Sequence, residues 1–167
     1  MLKGNKVDLA IVERGELHVL RDWFNDADFV GEFEPFQQQT LSEMEKSYDG
    51  KSEHNEFFVQ KKDGTRIGVI AYFKVGDQYP MYAIGYMLVP GERRKGYGSE
   101  AVLMIVDYLF LHKNIVRIQA ETPPANIASQ RVLEKAGFKK EGIIRKSFFS
   151  RGVWRDTAMF SILREEW

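Results

Sequence analysis

The stretch Gly91-Glu92-Arg93-Arg94-Lys95-Gly96-Tyr97-Gly98-Ser99 decides how this 167-residue sequence is interpreted. A strand is predicted before it, from Tyr79 to Val89, and a mostly apolar helix after it, from Ala101 to His112. Glycines at two alternate positions let backbone N–H groups turn inward, and the positive end of the following helix lies at the same place. The segment therefore predicts a cradle for a pyrophosphate, to which its three basic side chains add positive charge.

Two other nucleotide-binding motifs with glycine-rich loops fit this segment poorly. A Walker loop requires Gly-x-x-x-x-Gly-Lys-Ser/Thr, and that string is absent from the sequence. A dinucleotide-binding fold places Gly-x-Gly-x-x-Gly early in a parallel βαβ unit. Here Gly96 and Gly98 are followed by Ala101, and the preceding strand belongs to a series of hairpins.

Length and composition predict one soluble domain over residues 1–167. Hydrophobic residues make up 44% of the chain and aromatic residues 13%, which suffices for one continuous core. No apolar run is long enough to span a bilayer, and no signal-peptide core follows the first lysines, so we expect a cytoplasmic protein. The absence of cysteine excludes disulfides, thiolate metal sites and a cysteine acyl-enzyme.

The charges balance over the whole chain but not within its halves. Lys and Arg number 24, as do Asp and Glu, which gives no general argument for nucleic acid or an acidic membrane as partner. Residues 1–83 carry 10 basic and 15 acidic side chains, whereas residues 84–167 carry 14 basic and 9 acidic ones. A polyanionic ligand would bind the second half; an uneven solvated surface is the alternative interpretation.

The order of predicted elements indicates a mixed, mainly antiparallel sheet with helices on both faces. Strands are predicted over 7–11, 56–61, 66–74, 79–89 and 116–121, with two more from Phe138 onward on either side of Arg151-Gly152. Helices are predicted from behind Glu13 to near Asn25, from about Leu41 to Gly50, over 101–112, and from Asn126 to Ala136. The stretch from Asp26 to Gln39 has no clear periodicity.

Two signatures give the sequence a family resemblance. Arg93, Gly96 and Gly98 fill the pattern Arg/Gln-x-x-Gly-x-Gly/Ala, and residues 126–138 read NIASQRVLEKAGF. In both features the sequence resembles the GNAT superfamily of acetyl-CoA-dependent N-acetyltransferases. Ile84-Gly85-Tyr86 and Glu141-Gly142 are similar to its RimJ/RimL branch, which includes ribosomal-protein N-terminal acetyltransferases. The resemblance covers roughly residues 79–163 and is only positional over the first 78.

The resemblance implies a fold and a binding mode for acetyl-CoA. The fold would be a single α/β domain whose twisted sheet has six to seven strands, flanked by about four helices. A V-shaped splay between the fourth and fifth strands would accept the pantetheine arm. The residues implied in binding acetyl-CoA are Met87, Leu88, Val89, Arg93, Arg94, Lys95, Gly96, Tyr97, Gly98, Ser99, Asn126 and Ser129. Asn126 would also cap the helix that it precedes.

The resemblance also points to a proton donor for the leaving thiolate. Some relatives carry a tyrosine at the position of Leu133, which is apolar here. Ser129 lies one turn earlier on the same helix face and is therefore the candidate acid. The alternative is a helix-face serine that makes only local hydrogen bonds.

The general base is harder to assign, because Ala83 and Phe148 occupy the positions where relatives usually carry a carboxylate. An ammonium must lose a proton before it can attack a thioester. Glu121 is the first candidate, since its strand must flank the thioester; a solvated strand-end carboxylate is the alternative. The other candidates considered are Asp28, Glu32 and Glu34, with the histidines His18, His54 and His112 less suited by their positions.

The expected reaction is direct transfer of an acetyl group to a primary amine in a ternary complex, without a metal. The oxyanion would be held by the N–H of Leu88 or Val89. The acceptor amine would belong to a protein N-terminus, a polyamine or an antibiotic. The alternatives are a non-catalytic acetyl-CoA-binding module and, more weakly, a nucleic-acid binder that uses Arg145, Lys146, Arg151 and Arg155. The resemblance allows a homodimer, for which the sequence has no coiled-coil heptad.

Overall fold

The computed structural model describes residues 1–51, 53, 55–76, 78 and 80–167, and these contain eight strands and five α-helices. The strands are β1 (Leu2–Lys3), β2 (Val7–Ile11), β3 (Glu56–Lys61), β4 (Arg66–Lys74), β5 (Met81–Leu88), β6 (Arg117–Thr122), β7 (Lys139–Ser150) and β8 (Val153–Leu163). The helices are α1 (Leu17–Phe24), α2 (Ala27–Val30), α3 (Leu41–Asp49), α4 (Tyr97–His112) and α5 (Ile127–Lys135).

The strands form one sheet in the order β1-β2-β3-β4-β5-β6-β8-β7. Neighbouring strands are antiparallel except β5 and β6, which pair in parallel. A parallel pair requires a crossover connection, and α4 provides it. The sheet therefore changes from antiparallel to parallel pairing at β5, the strand that the glycine-rich segment follows.

Helices cover both faces of the sheet and divide the core into two clusters. On one face, α4 and α5 bury residues such as Val102, Ile105 and Leu133 against the sheet. On the other face, α1, α2 and α3 pack around Leu20 and Phe29. Side chains of a strand alternate between faces, so neighbouring residues of β5 contribute to different clusters.

Most of the predicted elements are confirmed. The predicted α/β fold is confirmed as well. The strands at 56–61 and 66–74 have the predicted bounds, and the final two strands meet at Arg151-Gly152 as expected. Asn25 and Gly50 are the C-caps of α1 and α3. The sheet has eight strands rather than six or seven, because the two-residue β1 pairs with β2.

Two of the sequence predictions need correction, and a third falls partly outside the described residues. The irregular segment after Asn25 contains α2, whose N-cap Asp26 accepts a hydrogen bond from the Asp28 N–H at 2.9 Å. Helix α4 begins at Tyr97 instead of Ala101, so that Gly98 and Ser99 belong to its first turn. Strand β5 is described from Met81, and the predicted start at Tyr79 lies outside the described residues.

Candidate active site

Strands β5 and β6 separate after four residues of parallel pairing. Their register runs from Met81 opposite Arg117 to Ile84 opposite Ala120. Beyond that point, residues 85–88 continue to pair with β4, while the last residues of β6 pair with β8. The two strands thus open into a V at the expected place, and the backbone of one side of β5 faces the opening.

Backbone alternation determines which N–H groups of β5 point into the V. The Val89 N–H donates to the Ile67 carbonyl of β4 at 2.9 Å. Because N–H groups alternate in direction along a strand, the Met87 and Val89 N–H groups face β4 and the Leu88 N–H faces the V. Val89 was one of two predicted oxyanion donors, and its N–H is already committed to the sheet. Leu88 keeps an N–H directed into the opening.

The start of α4 lies beside Leu88 and forms the predicted cradle. Gly96 has φ 87° as the N-cap of α4, a left-handed conformation that favours glycine, and no side chain caps the helix. The N–H groups of Tyr97, Gly98 and Ser99 therefore lack intrahelical acceptors. A Cβ built on Gly98 would lie 3.6 Å from Leu88 Cδ1. The positive end of a 16-residue helix thus adjoins the V.

The three basic residues before Gly96 have different surroundings. Arg93 ties the segment to its neighbours: its Nε donates to the Leu88 carbonyl at 2.9 Å and its Nη2 to the Phe29 carbonyl at 2.8 Å. Lys95 pairs with Glu92 at 2.8 Å, and this carboxylate raises the pKa of the Lys95 ammonium. Arg94 is exposed, at φ 64°, and has no polar partner within the described ranges. Of the three predicted phosphate ligands, only Arg94 has an uncommitted side chain.

Ser129 lies at the start of α5, beside the hydroxyl group of Tyr86, which was not among the predicted site residues. Asn126 caps α5 as predicted, its Oδ1 accepting the Ser129 N–H at 3.1 Å. The Ser129 Oγ is 2.9 Å from the Tyr86 hydroxyl on β5. Burial raises the pKa of Tyr86 to about 12, so this hydroxyl keeps its proton at neutral pH. The contact joins β5 to α5 through two hydroxyl groups.

Alternation could have indicated the position of Tyr86 on β5. Tyr86 is two residues from Leu88, which predicts that both side chains lie on the same face of the sheet. The position of α5 over that face depends on the crossover of the chain after β6, which residue spacing does not specify. In the sequence, Tyr86 therefore stands out only as part of a family signature.

The candidate carboxylates differ in burial. Glu121 follows the last parallel pair of β6, opposite Met159 of β8, and its side chain is exposed. Glu34 lies between α2 and α3 and is half-buried, and burial raises the pKa of its carboxyl. Its carboxylate has no hydrogen bond or ion pair among the residues that the structure describes. Ala83, at a usual family carboxylate position, lies on β5 opposite Phe73.

The segment that contains Glu34 is held at both ends. The Asn25 side chain and the Gln39 backbone exchange two hydrogen bonds of 2.8 Å at its base. At its other end, Arg151 Nη2 donates to the Gly31 carbonyl at 2.7 Å, and Ser150 Oγ donates to the Glu34 carbonyl at 3.4 Å. The segment therefore bridges the α-helical layer and the β7–β8 hairpin.

A cleft of about 830 Å³ lies between this segment, α1, α3 and β5. Met87 contributes to its wall, so the cleft reaches the residue next to Leu88 from the face of the sheet opposite α4. Two of its carboxylates are paired, Glu43 as part of the capping box of α3 and Glu56 with Lys51 at 2.7 Å. The arrangement offers one entrance to the V for a second ligand.

Neither a metal-binding group of side chains nor a bilayer-spanning helix is found among the described residues. Within the described ranges, no group of three or more His, Asp or Glu residues is placed to bind a metal ion. No helix of the described residues has both the length and the apolar character needed to span a bilayer. His18 Nδ1 lies 3.0 Å from the Gly15 carbonyl, and the His112 ring packs against Tyr108. His54 lies outside the described residues.

Comparison with known proteins agrees with this geometry. The acetyltransferase (GNAT) domain family matches residues 10–139. The probable N-acetyltransferase YjcK of Bacillus subtilis is 36% identical over 132 residues, which are 78% of this chain and 72% of YjcK. The uncharacterized N-acetyltransferase YnaD of the same organism is 39% identical over 60% of this chain, and the match spans 59% of YnaD.

Solved structures share the fold over nearly the whole chain. A GNAT-family acetyltransferase from Bacillus anthracis superposes with a TM-score of 0.84 at 25% identity, covering 98% of each chain. The spermidine N-acetyltransferase from Vibrio cholerae, solved with CoA and spermine, has a TM-score of 0.87 at 22% identity, again covering 98% of each chain. The chain therefore belongs to the GNAT acetyltransferase family, which is a family of acyltransferases.

Proposed function

We propose that the protein is an acetyl-CoA-dependent N-acetyltransferase that acts on a primary amine by direct transfer in a ternary complex. The observation that carries the proposal is the V between β5 and β6, where the Leu88 N–H lies beside the uncapped first turn of α4. Acetyl-CoA supplies an activated thioester carbonyl and a thiolate leaving group. The N–H groups of Tyr97, Gly98 and Ser99 would hold its diphosphate, and Arg94 would add positive charge.

The chain's own groups account for each proton of the reaction. Glu34 takes the proton of the attacking ammonium through water; burial raises the pKa of its carboxyl, which makes the carboxylate a stronger base. The Leu88 N–H donates to the carbonyl oxygen as negative charge develops there. When the carbon–sulfur bond breaks, its electron pair stays on sulfur, which takes the Ser129 Oγ proton. The nitrogen of the adduct gives up its second proton, which returns through water to Ser129 Oγ, and Glu34 releases to solvent the proton that it took.

The site suggests Glu34 as the base in preference to Glu121. Glu121 lies on β6 at the opening but is exposed, whereas Glu34 is half-buried and belongs to the segment that forms one side of the cleft. The Tyr86 hydroxyl, 2.9 Å from Ser129 Oγ and 3.2 Å from the Ser129 carbonyl, would orient the serine, whose proton is available to sulfur when Tyr86 is the donor of the hydroxyl pair. The acceptor would enter through the cleft at Met87 and meet the thioester from the face opposite α4.

The acceptor is a protein N-terminus, a polyamine or an antibiotic amine, and specific features favour the first two. The Ile84-Gly85-Tyr86 and Glu141-Gly142 signatures favour a RimJ/RimL-like enzyme that acts on a protein N-terminus. The likeness to proteins named for spermidine favours a polyamine. A panel of acceptors must therefore contain peptides with free N-termini, polyamines and aminoglycosides.

Calorimetric titration with acetyl-CoA, CoA and ATP, followed by thiol release in the same preparation, tests the proposal. We expect binding of acetyl-CoA and CoA but not of ATP, and thiol release with at least one member of the acceptor panel. Absence of acetyl-CoA binding would contradict the proposal. Binding without thiol release on any amine would favour the non-catalytic acetyl-CoA-binding module. Ala83 and Phe148 support that alternative, because they replace the carboxylates that relatives usually carry at these positions.

A further inference from the structure

A lysine from the first residues of the chain lies over the start of α4. The Lys6 Nζ is 3.2 Å from the position that a Cβ would take on Gly96. Gly96 is the N-cap of α4 and part of the segment proposed to hold the diphosphate. The Lys6 ammonium is thus placed at this segment although 90 residues of sequence separate the two positions.

The backbone of Lys6 is fixed to the first turn of α4. Glu100 accepts the Lys6 N–H at 2.8 and 3.1 Å through its two carboxylate oxygens, and it also accepts the Asn5 N–H. A Cβ on Gly4 would lie 2.5 Å from the Val7 carbonyl oxygen and 2.6 Å from Glu100 Oε1 and Met104 Sδ, so this tight turn against α4 requires glycine. The base of the Lys6 side chain is therefore held in place before any ligand binds.

A buried carboxylate secures the other side of the same turn. Asp8, only 5% exposed, accepts hydrogen bonds from the Gly4 N–H at 3.2 Å and from Lys62 Nζ at 2.6 Å. Lys3 pairs with the same carboxylate at 3.2 Å. These contacts commit two of the nearby lysines to Asp8, whereas the Lys6 ammonium has no ion pair or hydrogen bond within the described ranges.

The charges around the Lys6 ammonium favour an anion between it and α4. The helix end contributes a partial positive charge, and Arg94 is a second uncommitted cation. Glu100 is the facing carboxylate, and backbone N–H groups occupy its oxygens. Arg93 and Lys95 are bound to carbonyls and to Glu92. Among the described residues, the Lys6 ammonium thus lies unpaired beside backbone donors that are also unpaired, and Arg94 adds a second unpaired cation to the same segment.

We infer that Lys6 binds the diphosphate of acetyl-CoA. The inference rests on the proposed function, since it adds a ligand to the same cofactor site. The backbone N–H groups at the start of α4 would fix the position of the diphosphate, and the Lys6 ammonium would add one positive charge beside Gly96. The diphosphate is favoured over the 3′-phosphate because Gly96 belongs to the segment whose backbone donors would hold the diphosphate.

Binding of three ligands to Lys6→Gln tests this assignment. We expect the Kd for CoA and for 3′-dephospho-CoA to rise equally, by about 5-fold, as for a solvent-exposed charge pair. The salt dependence of both affinities should decrease. S-acetylpantetheine has no diphosphate, so its kcat/KM should be unchanged. Lys6→Arg should restore binding, and Lys46→Gln, on α3 at the other face, is the matched control.

The outcomes separate this inference from the proposed function. Failure of the wild-type protein to bind CoA would contradict the proposed function itself. If the wild-type protein binds CoA and Lys6→Gln binds it equally well, the role of Lys6 is wrong. An effect on CoA that vanishes with 3′-dephospho-CoA would move Lys6 to the 3′-phosphate and overturn the diphosphate assignment. A loss that persists with S-acetylpantetheine would show a structural role and overturn it too.

Discussion

The cofactor region and the acceptor region of this protein are built in different ways. The cofactor region consists of β5, residues 90–96, α4 and α5, and the groups proposed to bind acetyl-CoA there are mainly backbone N–H groups. The acceptor region consists of α1 to α3, residues 31–39 and the β7–β8 hairpin, and side chains join its parts. The contact between Ser150 and Glu34 spans 116 residues of sequence. A region built from contiguous backbone can be predicted from sequence far better than one assembled by distant side chains.

The difference extends to how each region uses its charges. In or next to the acceptor region, Asp26 caps α2, Glu43 completes the capping box of α3, and Glu56 pairs with Lys51. These carboxylates stabilise local structure and are therefore less available to attract a cationic acceptor. In the cofactor region, Arg94 and Lys6 keep free cationic groups. We therefore expect charge substitutions to change cofactor affinity more directly than acceptor affinity.

The largest expected effect comes from filling the cofactor region. In Gly98→Trp, the indole replaces a hydrogen that faces Leu88 Cδ1 at 3.6 Å and Val132 Cγ2 at 3.9 Å, measured from the Cβ position. It would push β5 and α5 away from α4, because closely packed interiors cannot absorb such a volume. We expect CoA binding and activity to fall by more than about 10³-fold, far beyond the loss of one contact. Calorimetry and steady-state assays measure both quantities.

Gly98→Ala is the matched control for this substitution. Contacts of 3.6 and 3.9 Å are ordinary van der Waals distances, so a methyl group fits. We expect CoA affinity within about 3-fold of wild type and an unchanged circular dichroism spectrum. If Gly98→Trp folds with a wild-type spectrum and still binds CoA, the cofactor region has been placed wrongly.

The second effect concerns Glu34 in the acceptor region. Glu34→Gln removes the proposed base, and we expect kcat/KM at neutral pH to fall about 10²-fold, as is typical for loss of a general base. In the pH profile of wild-type kcat/KM, activity should fall on the acid side at a pH above the usual pKa range of glutamate, because burial raises the pKa of the Glu34 carboxyl. The variant should lose that limb. Glu121→Gln is the matched control, and an equal or larger loss there would transfer the role to Glu121.

The same substitution, Glu34→Gln, should raise the stability of the protein although it lowers the activity. A raised pKa in the folded state means that folding favours protonated Glu34, so this contribution is present at low pH and is lost as pH rises through the folded-state pKa. Glu34→Gln should therefore be more stable than wild type at pH 8, with the difference shrinking toward pH 4. Thermal unfolding at both pH values measures this. A less stable variant at pH 8 would show that the carboxylate has a stabilising partner.

These two regions also show what the sequence could predict. Strands at 56–61 and 66–74, the Asn126 cap and the glycine pattern were predictable, because alternation, capping and left-handed φ values depend on nearby residues. Tyr86 beside Ser129 and Lys6 over Gly96 were not, because each pair is brought together by the sheet order. The commitment of Arg93 to carbonyl groups was equally hidden, since a basic residue next to a glycine-rich loop usually indicates a phosphate.

The third effect is smaller and lies where α5 meets β5. Ser129→Ala removes the proposed proton donor, yet a thiolate is already a fair leaving group because thiol pKa values lie near 8.5. We expect kcat to fall about 10-fold, with Kd for CoA within about 3-fold of wild type. Tyr86→Phe should lower kcat less, because it removes only the hydrogen bond that orients Ser129 Oγ. Unchanged kcat in Ser129→Ala would remove Ser129 from the mechanism.

The smallest effect distinguishes two adjacent arginines. Arg94→Gln removes an uncommitted cation, so we expect Kd for CoA to rise only about 3-fold, together with a weaker salt dependence. Arg93→Gln instead leaves the Leu88 and Phe29 carbonyls without their guanidinium donor, which should lower the free energy of unfolding by about 1–3 kcal/mol. Chemical denaturation and calorimetry on both variants measure the two quantities.

Arg93 is the sharper of the two, because its guanidinium joins the cofactor region at Leu88 to the acceptor region at Phe29. If it serves only to join them, Arg93→Gln should leave the salt dependence of CoA binding at its wild-type value while stability falls. A reduced salt dependence in Arg93→Gln with unchanged stability would show that Arg93 turns to the phosphate when CoA binds. The contrast between a backbone-built cofactor region and a side-chain-built acceptor region would then hold only for the free protein.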